Sequence, residues 1–189
     1  NVHIYHKNIV NKFSSNRTIG ISKNNLEFFE REILKIPKKI IWEIKKIEIY
    51  SEKLKKNKIL NFENDKKILF YMVKNDAFYK LLNNKLLKSK FFKKKIIKQE
   101  NFYDKLINKN NYDLIINCDQ NNQIAKKYFT KKIGKNYKNL AYTTILTHGK
   151  IENSSAIQVF TGSGPIAFLP ISNTKTSVVC SLDIQNRNY

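Results

Sequence analysis

Four of the chain's eight glycines and prolines fall in one apolar stretch, Phe160-Thr-Gly-Ser-Gly-Pro-Ile-Ala-Phe-Leu-Pro-Ile171. Glycine supplies backbone freedom, and proline fixes φ and removes a donor. The stretch therefore reads as a strand entered through a turn and left at Pro170. Ser172-Asn173-Thr174-Lys175 has turn chemistry, and Thr176 to Leu182 is a second apolar run, so Gly164 to Leu182 predicts a β-hairpin. The preceding runs, Leu140 to Thr147 and Ala156 to Phe160, also read as strands. The pattern thus changes near Asn139 from mixed α/β to an antiparallel sheet.

Before that boundary the periods alternate. Val2 to Lys7 reads as a strand. It opens the chain without a Met and with no element before it, which predicts an internal piece of a longer protein whose sheet draws on residues outside this sequence. Ser22 is placed to cap a helix from Lys23 to about Leu34, with Leu26, Phe29, Ile33 and Leu34 as its apolar stripe. Pro37 admits a short second helix, Lys38 to about Ile44. Ile47 to Tyr50 and Lys67 to Val73 read as strands separated by a basic loop. Asn75 or Asp76 can cap a helix running to about Lys88, with Phe78, Leu81, Leu82 and Leu86 in register. Tyr112 to Cys118 is a short apolar run of the kind that fills a buried parallel strand, and a helix follows from Gln123 to Phe129.

At 189 residues and 41% apolar, the chain can bury a real core. No apolar run reaches the ~18–20 residues that span a bilayer, and no signal-peptide pattern opens the sequence; both predict a soluble, cytoplasmic protein. The formal charge of +21 invites a polyanionic partner, yet only Arg17, Arg31 and Arg187 among the 36 basic residues are arginine. Readers of nucleic acid favour Arg for its bidentate fork. Lys, Asn and Ile share A/T-rich codons, so the charge reads as genomic bias, and runs such as Lys93 to Lys95 read as solvated faces. Cys118 and Cys180 sit in apolar runs at no metal or redox spacing and are expected to be buried, reduced thiols.

Catalytic signatures are sparse. His3, His6 and His148 lack a second ligand at helical spacing, so no metal site is expected. No nucleophile elbow or P-loop is present. Asp119 is the carboxylate of interest: it ends an apparent buried strand, where open α/β sheets place ligands, and it equally fits a cap on the following helix.

Several segments, taken in order, resemble the flavin-dependent aromatic hydroxylases, most closely the ubiquinone-biosynthesis hydroxylases that modify a polyprenylphenol ring. Val2 to Lys7 looks like the second strand of that family's FAD-binding domain. Asn16-Arg-Thr-Ile-Gly-Ile-Ser22 followed by Leu26-Glu27 resembles its Arg-x-x-Ala-Leu-Ser segment, and Tyr71-Met-Val-Lys-Asn75 its Tyr-Val-Val-Glu-Asn strand. Leu114 to Lys126 occupies the place of its Ala-Asp-Gly-x-x-Ser-x-Val-Arg segment. Phe160 to Ile171 is similar to Phe-Thr-x-x-Gly-Pro-Leu-Ala-Leu-Leu-Pro-Leu, the most specific of these matches. There are departures: His6 stands where the family has an acid, and Gln120, Gln123 and Lys126 replace Gly, Ser and Arg.

The resemblance implies an α/β protein: part of a Rossmann-type FAD-binding domain over residues 1–139, lacking the Gly-rich strand-turn, with about 44–72 contributing to the substrate domain, and antiparallel substrate-domain strands over 140–189. It implies an FAD monooxygenase that takes electrons from NAD(P)H and inserts one atom of O2 into a phenolic, polyprenylated ring. Arg17, Asp119 and Gln120 are then the cofactor contacts. Ile166 and Phe168, on one face of a strand, are candidates for the ring wall or for plain core, and no catalytic residue stands out. Other ubiquinone-biosynthesis proteins and the inner membrane face are the implied partners. Two rival readings remain: an inactive relative serving as a scaffold, which the substitutions at His6 and Gln120 favour, and a basic nucleic-acid-binding module, which low Arg content disfavours.

Overall fold

The computed structural model describes residues 1–7, 16–54, 58–63, 67–97, 102–108, 111–119, 121–129 and 138–183. The chain divides into two compact units, one formed by residues 1–11 and 89–136, the other by 12–88 and 137–189.

The larger unit is built on two sheets. In the smaller sheet, β2 (Thr18–Ser22) and β3 (Ile41–Ile44) flank β6 (Phe70–Lys74), both antiparallel to it. All three central residues of β6, Tyr71, Met72 and Val73, are buried, because both faces of this sheet are covered. On one face Ile21, Tyr71 and Val73 pack with Leu26 and Ile36. On the other, Ile44 and Met72 pack with Ala156, Leu169 and Ile171 of the second sheet. A strand covered on both sides needs a continuous apolar run, which is what Phe70 to Val73 provides.

Ser22 caps α1 (Lys23–Phe28) as its spacing predicts, its Oγ accepting from the Asn25 N–H at 3.2 Å. The helix then widens into a π turn over Phe29–Ile33, closed by the Leu34 N–H donating to the Phe29 carbonyl. The longer period carries Leu34 onto the core and leaves Ile33 41% exposed, so the expected stripe loses that residue. The helix expected over Lys38 to Ile44 shrinks to one 3-10 turn, Lys38–Ile40, and the remainder is β3. Ile-Trp-Glu-Ile alternates, and the edge of β6 accepts it with Ile41 opposite Val73.

The second sheet has the order β5-β4-β9-β10-β11-β8. Its strands are β4 (Lys46–Ser51), β5 (Lys58–Glu63), β8 (Asn139–Thr147), β9 (Ser155–Thr161), β10 (Gly164–Ser172) and β11 (Lys175–Asp183). The last four pair antiparallel and include the predicted hairpin; β4 joins β9 in parallel, so the whole sheet is mixed. The basic loop expected after Tyr50 contains β5, an edge strand that Lys46–Glu63 and Lys58–Glu48 ion pairs tie to β4. Nor does β10 end at Pro170: Pro170 stands opposite Thr176, and the strand runs on past a bulge to Ser172. Helix α2 (Asn75–Leu87) follows β6 with Phe78 and Leu81 against the core, but its N-cap is Lys74, without a side-chain cap.

In the smaller unit, β1 (Val2–Lys7) pairs in parallel with β7 (Phe92–Ile97), whose Lys93, Lys94 and Lys95 are exposed as expected. Ile97, Tyr103 of α3 (Phe102–Asn108) and Ile124 of α4 (Gln123–Tyr128) form its core with Tyr5. Tyr112 to Cys118 is not the buried strand its composition predicts. It joins no ladder among the described residues, Leu114 and Ile116 are each 75% exposed, and Cys118 is exposed rather than buried. Cys180 is half-buried, on β11. No described helix is long and apolar enough to cross a membrane.

Candidate functional site

Arg17 immediately precedes β2, and its carbonyl accepts the first N–H of α2, from Asn75, at 3.0 Å. That bond fixes the backbone while the exposed guanidinium pairs with no acceptor among the described residues. A guanidinium with all its donors available fits an anionic group such as a dinucleotide diphosphate. The next residue, Thr18, donates to Ser177 Oγ on β11 at 3.1 Å, and Ser177 is only 1% exposed. The start of β2 is thereby anchored to one face of the six-stranded sheet.

Register decides which residues share that face. Ser177 stands opposite Leu169, and Val179 opposite Ala167. Ile166 and Phe168 pair with Cys180 and Val178 and therefore belong to the opposite face, half-buried. The structure thus separates the predicted wall residues from the side that the Arg17 segment approaches.

Asp119 lies in the smaller unit, in a loop knotted by amides. Its N–H donates to Asn117 Oδ1 at 3.3 Å, and Asn117 Nδ2 donates back to the Asp119 carbonyl at 3.0 Å. One carboxylate oxygen, Oδ1, accepts from the Asn121 N–H at 2.9 Å. The cap of α4 is Asn122, whose Oδ1 accepts from the Ala125 N–H at 2.9 Å, so Asp119 does not cap the helix. It is exposed, with its second carboxylate oxygen available to a ligand hydroxyl. Gln120 lies outside the described residues.

No group of three or more His, Cys, Asp or Glu among the described residues could hold a metal. His148 instead joins a structural network with Thr176 and the buried Asn153. In the smaller unit, the Tyr112 hydroxyl lies 2.6 Å from His3 Nδ1 and 2.5 Å from the Tyr5 hydroxyl. The hydrogen bond shared with Tyr5, then burial and the Tyr5 charge, hold the Tyr112 phenol above its ordinary value of 10.0. That cluster pins the 112–118 segment beside β1 through side chains alone.

Sequence reasoning missed a cavity of about 550 Å³ in the larger unit, lined among others by Glu30, Trp42, Glu43, Tyr71 and Glu152. Its residues come from α1's continuation, β3, β6 and the connection before β9, a juxtaposition that no local spacing announces. The one available signal is the placing of acidic side chains in so basic a chain.

No family profile matches the sequence, and no curated protein does. The fold does have solved counterparts. PqsL from Pseudomonas aeruginosa, described as a probable FAD-dependent monooxygenase, superposes with a TM-score of 0.67 at 8% identity, over 97% of this chain and 54% of its own; a mutant of PqsL matches equally. A geranylgeranyl bacteriochlorophyll reductase-like protein from Thermoplasma acidophilum gives a TM-score of 0.54 at 14% identity, over 95% of this chain and 49% of its own. The chain spans about half the length of these structures, and with them it shares a mixed α/β fold of several sheets.

Proposed function

We propose that the chain is part of an FAD-dependent monooxygenase that hydroxylates a phenolic ring, a polyprenylated intermediate of ubiquinone biosynthesis, with NAD(P)H as electron donor and O2 as co-substrate. The supporting observation is the fold shared with PqsL across 97% of this chain. The stretch most like the ubiquinone hydroxylases, Phe160 to Ile171, supplies β10 in the interior of the large sheet. FAD, when bound, supplies the activation of O2 and the uptake of electrons from the donor.

This chain's residues bind, orient and exclude water. Arg17 offers its guanidinium, which pairs with no acceptor among the described residues, to the cofactor's anionic diphosphate. Asp119 offers its available carboxylate oxygen to a cofactor hydroxyl, its position set by the amide-knotted loop. The ring is taken to lie on the sheet face shared by Ala167 and Val179, next to the buried Ser177 to which Thr18 anchors the Arg17 segment. Ile166 and Phe168 back that wall from the opposite side. An apolar wall of this kind keeps water from the reacting centre.

The test is flavin content. The polypeptide expressed from the complete reading frame that contains these residues is expected to purify with stoichiometric FAD, seen by visible absorbance after denaturation, and to lose most of it on Arg17→Ala. A folded protein with no flavin, and with no flavin uptake on reconstitution, would sink the enzyme reading in favour of the scaffold.

A further inference from the structure

The two edges of the six-stranded sheet are built differently. β5 is short and guarded: it carries a charge at each end, Lys58 and Glu63, both in ion pairs with β4, and its ladder to β4 slips between Ile49 and Tyr50. Charges and irregularities of this kind keep an edge strand from pairing with other chains. β8 has neither. Its nine residues, Asn-Leu-Ala-Tyr-Thr-Thr-Ile-Leu-Thr, include no charge, proline or glycine, and its register with β11 runs unbroken from Asn139 to Thr147.

The composition of β8 is that of an interior strand. β9 and β10 are likewise uncharged, but each has a strand on both sides, whereas β8 pairs with β11 alone among the described residues. Every second residue of β8 therefore points its N–H and C=O away from β11. Eight of its nine residues are exposed, with Leu140, Tyr142 and Leu146 at 40%, 56% and 47%. In a chain that is 27% charged, a strand of β-forming, uncharged residues at a sheet edge fits burial against a further strand.

The residue pattern also says which strand. Read antiparallel against itself about Thr143, β8 sets Leu140 opposite Leu146, Ala141 opposite Ile145, Tyr142 opposite Thr144 and Thr143 opposite its own copy. These are the pairings that stabilise neighbouring strands: apolar with apolar, aromatic with β-branched, Thr with Thr. Charge argues against an acidic partner, since a strand drawn in by the +21 of this chain would be met by lysines, and β8 offers none. A second copy of so basic a chain is admitted only by an edge free of lysine. We propose that β8 is a dimerisation edge, pairing antiparallel with β8 of a second copy across a two-fold axis at Thr143 and joining the two six-stranded sheets into one. A contact of this kind closes on itself, and it supplies about eight to ten backbone hydrogen bonds. The pairing needs no flavin, so its test and that of the flavin reading are separate.

The polypeptide of the complete reading frame, followed by sedimentation velocity over a concentration series, is expected to pass from monomer to dimer. Thr143 is exposed, so Thr143→Lys should keep the fold, which circular dichroism checks, while setting two ammonium groups opposite each other at the axis. The dimer dissociation constant should rise about tenfold. Register is tested separately. Directly opposed residues of antiparallel strands have Cα atoms ~4.5–5.5 Å apart, within disulfide reach, so Thr143→Cys should give a covalent dimer under diamide. Thr144 stands opposite Tyr142 in this pairing, which leaves the two Thr144 Cα atoms ~8 Å apart. Thr144→Cys should therefore give no more covalent dimer than the wild type, whose exposed Cys118 sets the background. A monomer at every concentration, an undiminished dimer in folded Thr143→Lys, or equal cross-linking at 143 and 144 would each overturn the proposal.

Discussion

Gly164 opens β10 at φ +134°, a region that side-chain-bearing residues avoid, and a Cβ built there would lie 2.0 Å from the Ser181 carbonyl oxygen and 3.1 Å from its carbon. Ser181 is on β11, so the clash is with the hairpin's own partner strand and not with a flexible side chain. Gly164→Ala therefore has two costs. The backbone conformation costs about 1–3 kcal/mol for a non-glycine residue. Relieving the contact means moving β11 away from β10, which weakens ladder bonds and adds about 2 kcal/mol. The sum is about 3–5 kcal/mol. With a urea m-value of about 2 kcal/mol per molar, the midpoint should fall by about 1.5–2.5 M at unchanged m. Trp42 lies in the same compact unit, so its fluorescence follows the transition. Gly162→Ala is the matched control: its Cβ would have nothing within 4 Å, and its effect should stay within about 0.5 kcal/mol. If Gly164→Ala moved the midpoint no more than Gly162→Ala, the argument from conformation and clash would be refuted.

Asn153 is 8% exposed and its Nδ2 donates to the Ser172 carbonyl at 2.8 Å and to Thr176 Oγ1 at 3.0 Å. Asn153→Ala leaves those acceptors unsatisfied and should cost about 2–3 kcal/mol in the same titration, while sparing the Trp42 bond, which uses the backbone carbonyl. Glu48, 13% exposed in its side chain, bonds to Lys58 and, at 3.2 Å, to Lys46, and these bonds hold its carboxyl below its ordinary value of 4.5. The stability this group contributes is complete above that value and is lost as the pH falls through the lowered one. Melting temperature measured down through the carboxylate range should therefore fall more steeply for the wild type than for Glu48→Gln, and parallel curves would contradict it.

What could be read from residues alone followed how local the deciding interactions are. Ser22 capping α1, the Ser172 to Lys175 turn and the strands on either side of it depend on neighbours within a few positions, and the structure has all of them. Ile41 to Ile44 does not work that way: its four residues suit a helix after Pro37 as well as a strand, and the free edge of β6, some thirty positions on, decides for the strand. Ile33 left the core for a reason periodicity cannot carry, since a single i to i+5 bond from Leu34 rotates the end of the helix.

The same logic separates the two stretches that looked most alike. Tyr112 to Cys118 and Lys67 to Val73 are both apolar runs of strand length. A run of this composition becomes a strand only where a neighbouring edge accepts its backbone hydrogen bonds, because unpaired amides are expensive wherever side chains are buried. β6 has β2 on one edge and β3 on the other, and its three central residues disappear from solvent. The 112–118 segment meets β1 through the Tyr112 ring and hydroxyl, and its leucine and isoleucines remain in water. The candidate sites divide likewise. The Arg17 segment could be singled out because it is continuous in sequence, whereas the cavity beside β3 and β6 is lined by Glu30, Glu43, Tyr71 and Glu152, which lie far apart in the chain.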